Sequence, residues 1–207
     1  MLIGYVTETS NKPVLDRAAV NFQNGPVGAL ARHGVTAGEF GLVTLHRPSN
    51  VDDAQTLDGI LSALLEIAAQ IELVFPVHPR TRQRLDSFGF TQKLASAPGV
   101  TLCNPLGYID MLALQAAARV VLVDSGGIQE ETTALGVPCM TLRPNTERRV
   151  TIDEGTNTLV GTTPADIVTT ATDILEHGGK AGRIPELWDG KASDRLVDVL
   201  RNGIVRR

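Results

Sequence analysis

The sequence predicts an α/β fold, a doubly wound parallel sheet of about six strands with helices on both faces. Three observations carry this. Short apolar runs alternate with helical stretches from Gly41 to His177. Val120–Val123 is apolar at every position and the other runs are mostly apolar, which suits strands buried on both faces. Polar signatures follow directly on the apolar runs, and right-handed crossovers would gather all of those positions at one edge of the sheet.

The elements follow in order. Residues 1–40 read as a connecting segment beside the main domain, with a short strand at Met1–Val6, a helix over Asn11–Val20 with Pro13 in its first turn, and a helical turn at Ala29–His33. The domain proper spans 41–207. Its first strand, Leu42–Leu45, leads into His46-Arg47-Pro48-Ser49-Asn50. Asp52 or Asp53 caps a helix over 54–69, where Leu57, Ile60, Leu61, Leu64, Leu65 and Ala68 recur at the spacing of one helix face. Strand Leu73–Val77 ends in His78-Pro79-Arg80, and a polar helix over Thr81–Phe88 stops at Gly89. Strand Val100–Cys103, a turn over Asn104–Gly107 and a helix over Tyr108–Ala118 come next. Strand Val120–Val123 runs through Asp124 and Ser125 into a helix over Gly127–Leu135, with Gly136 at its C-terminal cap. Strand Val137–Leu142, the polar loop Arg143–Arg149, a short helix begun at Val150–Asp153 and strand Thr158–Val160 follow. Thr163 and Pro164 start a helix that runs to His177, and Ser193–Asn202 forms a terminal one.

Composition narrows the function classes. A net charge of -4 with dispersed acids and bases gives no footprint for nucleic acid. Cys103 and Cys139 each sit within an apolar stretch and read as reduced core thiols. No apolar run reaches the length of a membrane span and the N-terminus has no signal-peptide pattern, so a cytoplasmic protein is expected.

The chemistry concentrates at strand ends. Ser125-Gly126-Gly127 precedes a helix whose free amides and aligned dipoles favour a negative guest. It reads as a diphosphate cradle or as a tight strand-to-helix turn. It is neither G-x-G-x-x-G nor a Walker A sequence, so no dinucleotide or ATPase site follows. Glu130 and Glu131 read as solvated glutamates at a positive helix end, or as acceptors for ribose hydroxyls. His46 beside Arg47, and His78 beside Pro79-Arg80, suit hydrogen-bonding or acid/base work, or simple capping. Arg143, Arg148 and Arg149 surround Glu147 and offer guanidinium forks to phosphate, or form a solvated loop. His33 and His177 read as loop or helix-end residues. The histidines lack the Cys or Asp clustering of a zinc site, so no metal is expected.

Six stretches occur in a telling order: Thr44-Leu45-His46-Arg47-Pro48-Ser49-Asn50-Val51-Asp52, Pro76-Val77-His78-Pro79-Arg80, Asp124-Ser125-Gly126-Gly127-Ile128-Gln129-Glu130-Glu131, Gly136-Val137-Pro138, Arg143 with Asn145-Thr146-Glu147-Arg148, and Glu154-Gly155-Thr156-Asn157. Over about residues 41–200 the set resembles the C-terminal half of the non-hydrolysing bacterial UDP-N-acetylglucosamine 2-epimerases. The resemblance implies a Rossmann-like domain, the C-terminal one of a GT-B-type two-domain enzyme. It implies interconversion of UDP-N-acetylglucosamine and UDP-N-acetylmannosamine, without a cofactor, by elimination of UDP to a 2-acetamidoglucal and re-addition. In that frame Ser125, Gly126 and Gly127 bind the diphosphate and Glu131 holds the ribose. Arg148 and Arg143 contact the UDP-sugar, and His46 is the catalytic-site residue beside the reacting sugar. Arg47 and His78 match positions that bind a second, activating UDP-N-acetylglucosamine in some members.

Some positions depart from the pattern. Asp110-Met111 and Leu106 stand where several relatives carry an aromatic and a Gln near the uracil, and Arg149 replaces a Pro. Family members also carry an N-terminal domain with the carboxylates thought to move the C2 proton. Residues 1–40 would then be the connecting segment from a missing N-terminal domain. The expected partners are UDP or UDP-N-acetylglucosamine and an N-terminal epimerase domain or second chain, the full enzymes commonly being homodimers. Such a half is expected to bind UDP and to be inactive alone. The alternative is a stand-alone UDP-binding module without catalysis.

Overall fold

The computed structural model describes residues 26–204. The strand expected at Met1–Val6 and the helix expected at Asn11–Val20 lie outside them. Helix α1 (Pro26–His33) precedes β1 (Phe40–Thr44), the one-turn α2 (Pro48–Val51), α3 (Ala54–Ala68) and β2 (Glu72–Pro76). Then come α4 (Pro79–Ser87), α5 (Thr91–Ala95), β3 (Val100–Cys103), α6 (Tyr108–Ala117) and β4 (Val120–Val123). Helix α7 (Gly126–Leu135), β5 (Cys139–Thr141), α8 (Arg149–Asp153), β6 (Asn157–Leu159), α9 (Pro164–His177) and α10 (Ala192–Ile204) complete the order.

The six strands form one sheet in the order β3-β2-β1-β4-β5-β6, and every neighbouring pair is parallel. The expected doubly wound sheet is therefore the observed one. The chain winds outward from β1 to β3, returns to lay β4 beside β1, and winds outward the other way. The crevice of such a sheet opens where the direction reverses, beyond the C-terminal ends of β1 and β4.

Period-two alternation splits the strand side chains between two cores. Val43, Leu73, Phe75, Val120, Leu122 and Met140 face a layer built on Leu57, Ile60, Leu64 and Ile67 of α3 and Ile167 and Ala171 of α9. Phe40, Leu42, Val74, Val121, Val123 and Cys139 face the other layer, with Leu114 and Ala117 of α6. Helix α1 joins that second face, where Arg32 pairs with Asp110 at 2.8 Å.

Several boundaries move for identifiable reasons. Strand β1 begins at Phe40, earlier than expected, because Phe40 pairs with Glu72 and is buried. Strand β5 is shorter than expected, since pairing to β4 and β6 covers Cys139 to Thr141 alone. The loop expected after β1 contains α2, which turns Asn50 inward. Helix α5, unmarked in the sequence, follows Gly89, whose φ of 75° suits glycine. The cap of α3 is Asp53, which accepts from the Thr56 N–H at 2.8 Å. Asp52 instead pairs with Arg80 and Arg84, which hold its carboxyl at about 2.

A close approach of helices rests on Gly155. A Cβ there would collide with the Thr133 side chain on α7 and lie 2.7 Å from the Thr151 carbonyl oxygen. We expect Gly155→Ala to lower stability by about 1–3 kcal/mol, read as a lower urea midpoint at unchanged slope.

Candidate functional site

Asp124 ends β4 and is 0% exposed. A carboxylate removed from water needs donors, and the residues after β1 supply them. The His46 N–H donates to both carboxylate oxygens at 3.1 and 3.0 Å, and the Arg47 N–H to Oδ2 at 2.9 Å. Asn50 Nδ2, carried inward by α2, lies 3.2 Å from Oδ2 and also donates to the Leu142 carbonyl at 2.8 Å. His46 Nδ1 lies 3.0 Å from Oδ1. One carboxylate thus ties the end of β4 to the end of β1, and Asn50 extends the tie to the end of β5. In the sequence Asp124 stands within its motif without a mark of this role. The one available signal was an acid directly after four buried apolar residues.

The same contacts orient His46. With Nδ1 directed at Asp124, Nε2 is the ring nitrogen left to address a ligand. The His78 ring lies 5.4 Å from the His46 ring, centroid to centroid, so the turns after β1 and β2 meet here. His78 Nδ1 accepts from the Arg80 N–H at 3.2 Å and caps α4. Arg47 runs the other way. Its Nε donates to the Asp124 carbonyl at 3.3 Å and its Nη2 lies 3.6 Å from Glu147 Oε1. Arg47 and His78 therefore flank His46 on opposite sides.

Ser125 is the N-cap of α7 with φ −85° and ψ 134°, and its side chain makes no capping hydrogen bond. Its hydroxyl and the leading amides of α7 are thus uncommitted within the helix, and they lie at the switch point. The two glycines differ. A Cβ on Gly126 would lie 2.9 Å from Glu147 Oε1 and 3.5 Å from Arg148 Nε, whereas one on Gly127 would meet nothing within 4 Å. Gly126 keeps the arginine-bearing loop close, and Gly127 faces open space.

Glu130 and Glu131 are not the solvated pair that one reading of the sequence allowed. Glu130 is 6% exposed, with Arg148 Nε 3.2 Å from its Oε1. That contact is an ion pair without hydrogen-bond alignment, since Nε has no partner of good geometry. Burial pushes the Glu130 carboxyl above the ordinary range, against the pull of Arg148. Burial raises Glu131 likewise, opposed by hydrogen bonds from Gln115 and Tyr108. Gln115 Nε2 donates to Glu131 Oε2 at 2.9 Å, and Tyr108 is pushed up to about 12 by its own burial and by Glu131. Gln115 is a residue the sequence reading missed. It is buried inside the apolar helix α6, and its Oε1 has no partner.

The loop 143–149 is held by its neighbours, although Pro144, Asn145, Glu147 and Arg149 are exposed. Thr146 Oγ1 donates to Gln129 Oε1 at 2.7 Å and accepts from the Arg148 N–H at 3.0 Å. Asn157 Nδ2 bonds Thr151 Oγ1 at 3.0 Å and reaches Gln129 Oε1 at 3.3 Å, while its Oδ1 accepts from Thr141 Oγ1 at 2.7 Å. A buried polar network of this kind fixes geometry, although Gln129 Nε2 itself has no partner. It places Arg148 on Glu130 and Arg143 on Glu147, where Arg143 Nη2 is 3.0 Å from Oε2. Arg149 stands exposed at the start of α8. The two cysteines are free. Burial raises Cys103 and pushes Cys139 up to about 12, which leaves neither as a ready nucleophile.

The structure therefore gathers His46, Arg47, Ser125, Gly126, Arg143 and Arg148 around the ends of β1, β4 and β5, with His78 adjoining. Doubly wound α/β domains of this class take an anionic ligand at such an edge. The chain belongs to the UDP-N-acetylglucosamine 2-epimerase family, whose model matches residues 10–201. It is similar to UDP-N-acetylglucosamine 2-epimerase of Methanocaldococcus jannaschii, 37% identical over 183 residues, with 87% of this chain and 50% of that protein covered. The crystal structure of that organism's UDP-GlcNAc 2-epimerase in complex with UDP-GlcNAc and UDP matches with a TM-score of 0.76 at 34% identity, over 91% of this chain and 51% of that one. UDP-2,3-diacetamido-2,3-dideoxy-D-glucuronate 2-epimerase of Pseudomonas aeruginosa is 36% identical over 177 residues, covering 84% of this chain and 46% of that protein. The chain spans about half the length of the relatives it matches.

Two tests follow from the geometry. Asp124→Asn replaces an acceptor oxygen by an amide that faces donors, and we expect a loss of about 2–4 kcal/mol in urea unfolding. Glu131→Gln removes a charge whose folded-state pKa is raised. Such a carboxyl favours the folded state below the unfolded value, near 4.5, and loses that contribution as pH climbs through its folded pKa. The variant should melt above the parent at pH 8, and the two melting temperatures should converge at pH 4.

Proposed function

We propose that this chain supplies the nucleotide-diphosphate-binding half of a UDP-N-acetylglucosamine 2-epimerase, which interconverts UDP-N-acetylglucosamine and UDP-N-acetylmannosamine in the cytoplasm. The observation that carries the reading is the uncommitted Ser125 hydroxyl at the head of α7, set at the switch point among three arginines. Family membership narrows the anion to the diphosphate of a UDP-sugar.

In this reading Ser125 and the amides of Gly126 and Gly127 hold the diphosphate. Elimination breaks the C1–O bond and removes the C2 proton, so negative charge builds on the departing UDP. Preorganised donors and cations stabilise that charge best where water is excluded. Arg148 and Arg143 provide it from one side, and His46 Nε2 from the other. Glu131, steadied by Gln115, accepts the ribose hydroxyls. Arg47 and His78, on either side of His46, are the candidates for contact with a second, activating nucleotide sugar.

The C2 proton needs a base. Among the described residues, Asp124, Glu130, Glu131 and Glu147 are the carboxylates at the ends of β4 and β5, and each is already engaged, with His46, Arg148, Gln115 and Arg143 respectively. The proton-moving groups are assigned to an N-terminal epimerase domain or a second chain facing this edge, the complete enzyme being a homodimer. A stand-alone UDP-binding module without catalysis uses the same residues, and the same experiment separates the two.

The chain should bind UDP by isothermal titration and give no N-acetylmannosamine product in a coupled assay. Ser125→Ala removes no cap bond, so it should leave stability within about 0.5 kcal/mol while it weakens UDP about tenfold. Product formation when an N-terminal epimerase half is supplied in trans supports the epimerase. Its absence, with UDP bound, favours the binding module. Undiminished UDP affinity in Ser125→Ala sinks the phosphate site itself.

A further inference from the structure

The edge that would receive a diphosphate already holds an anion. Glu147 Oε2 lies 3.0 Å from Arg143 Nη2, and its Oε1 lies 3.6 Å from Arg47 Nη2. The same Oε1 sits 2.9 Å from the place a Cβ on Gly126 would take. The three neighbours stand at the ends of β5, β1 and β4, so one carboxylate occupies the meeting point of the strands, against the first turn of α7. Its own backbone amide, then Arg143 and Arg47, hold its carboxyl below the ordinary glutamate range. It is therefore ionised at neutral pH, as a phosphate is.

Arg143 is not an ordinary surface cation with an optional mate. Its side chain is 12% exposed, Nη2 is taken by Glu147, and Nη1 is buried with no hydrogen-bond partner. A guanidinium matches phosphate oxygens two at a time. The free nitrogen beside the committed one leaves Arg143 half used in this state.

We propose that Glu147 is a positioning residue, the resident counter-anion of this site, which holds Arg143 and Arg47 in place, yields Arg143 to the ligand's diphosphate and leaves Arg47 free for the second nucleotide sugar. The proposal rests on the reading that Ser125, Gly126 and Gly127 receive a diphosphate. A phosphate over Gly126 and the Glu147 carboxylate would be like charges in contact, and they repel. The carboxylate is the partner that moves. Its side chain is 49% exposed, so it can turn into solvent. The backbone around it need not follow, because Thr146 is pinned to Gln129 and the Arg148 N–H to Thr146. Displacement is a side-chain rotation on a fixed loop. A ligand has to bring enough negative charge to replace a carboxylate between two arginines, which favours a diphosphate over a neutral sugar.

The test is UDP titration of the full chain with Glu147→Gln, which keeps the size and removes the charge. The expected result is a Kd lower than the parent's by about tenfold at low salt, with the gain shrinking as sodium chloride is added. An unchanged or higher Kd in Glu147→Gln, with parent binding intact and weakened by Ser125→Ala, overturns the counter-anion and leaves the diphosphate site standing. Parent binding that ignores Ser125→Ala overturns both. Should the variant fail to fold, a crystal structure of the parent with UDP decides the matter. Glu147 turned away from Gly126 supports the proposal, and Glu147 still bridging Arg143 and Arg47 defeats it.

Discussion

The buried carboxylate of Asp124 is the constraint on which the rest of this edge depends. A charge with no solvent contact is tolerated only when donors surround it, and the backbone after β1 provides them through two N–H groups and the side chains of His46 and Asn50. Satisfying Asp124 sets several things at once. It fixes the course of the chain after β1, directs one His46 nitrogen inward, and bends α2 so that Asn50 reaches the end of β5. Helix α7 begins two residues later, at Gly126, so the distance of its leading amides from His46 and Arg47 follows from the same contact.

The electrostatics of the site are a balance rather than a simple positive patch. Arg47, Arg143 and Arg148 converge near the head of α7, and each has a carboxylate against it. Glu130 and Glu131 carry raised carboxyl pKa values because burial costs them solvation. That cost is a local sacrifice of stability of the kind found where geometry serves a ligand. The polar network through Gln129, Asn157, Thr141 and Thr151 offsets it by making the surrounding frame rigid.

The fold was legible because its signals are local. Apolar runs such as Val120–Val123, the spaced face of α3 and the Gly136 cap, with φ 72°, are each read within one segment. His46, Ser125 and Arg143 were legible as candidates because they stand just after strands, and Arg148 because it is one of three arginines around Glu147 in one loop. Their partnerships were not. His46 meets Asp124 across 78 positions and Asn50 meets the Leu142 carbonyl across 92, and no periodicity reports such pairings. Gln115 could be noticed as a polar residue in an apolar helix, but nothing local says that it serves Glu131. Glu130 and Glu131 were ambiguous for the converse reason. A helix start marks them as charges suited to solvent, and only the packing around α7 buries Glu130 and half-buries Glu131.

The stitching of three strand ends also divides the molecule into parts that can change at different rates. Asp124 and Asn50 join β1, β4 and β5, so a substitution at any of these positions disturbs all three together. The turn from Asn104 to Gly107 after β3 makes no side-chain hydrogen bond to that assembly, and Asn104, Pro105 and Gly107 are exposed. Sequence drift can accumulate there, at the same edge of the sheet, without loosening the contacts that tie β1, β4 and β5. A domain organised in this way can keep its strand ends locked together while a neighbouring turn diverges, and its evolvability follows from where its hydrogen bonds stop.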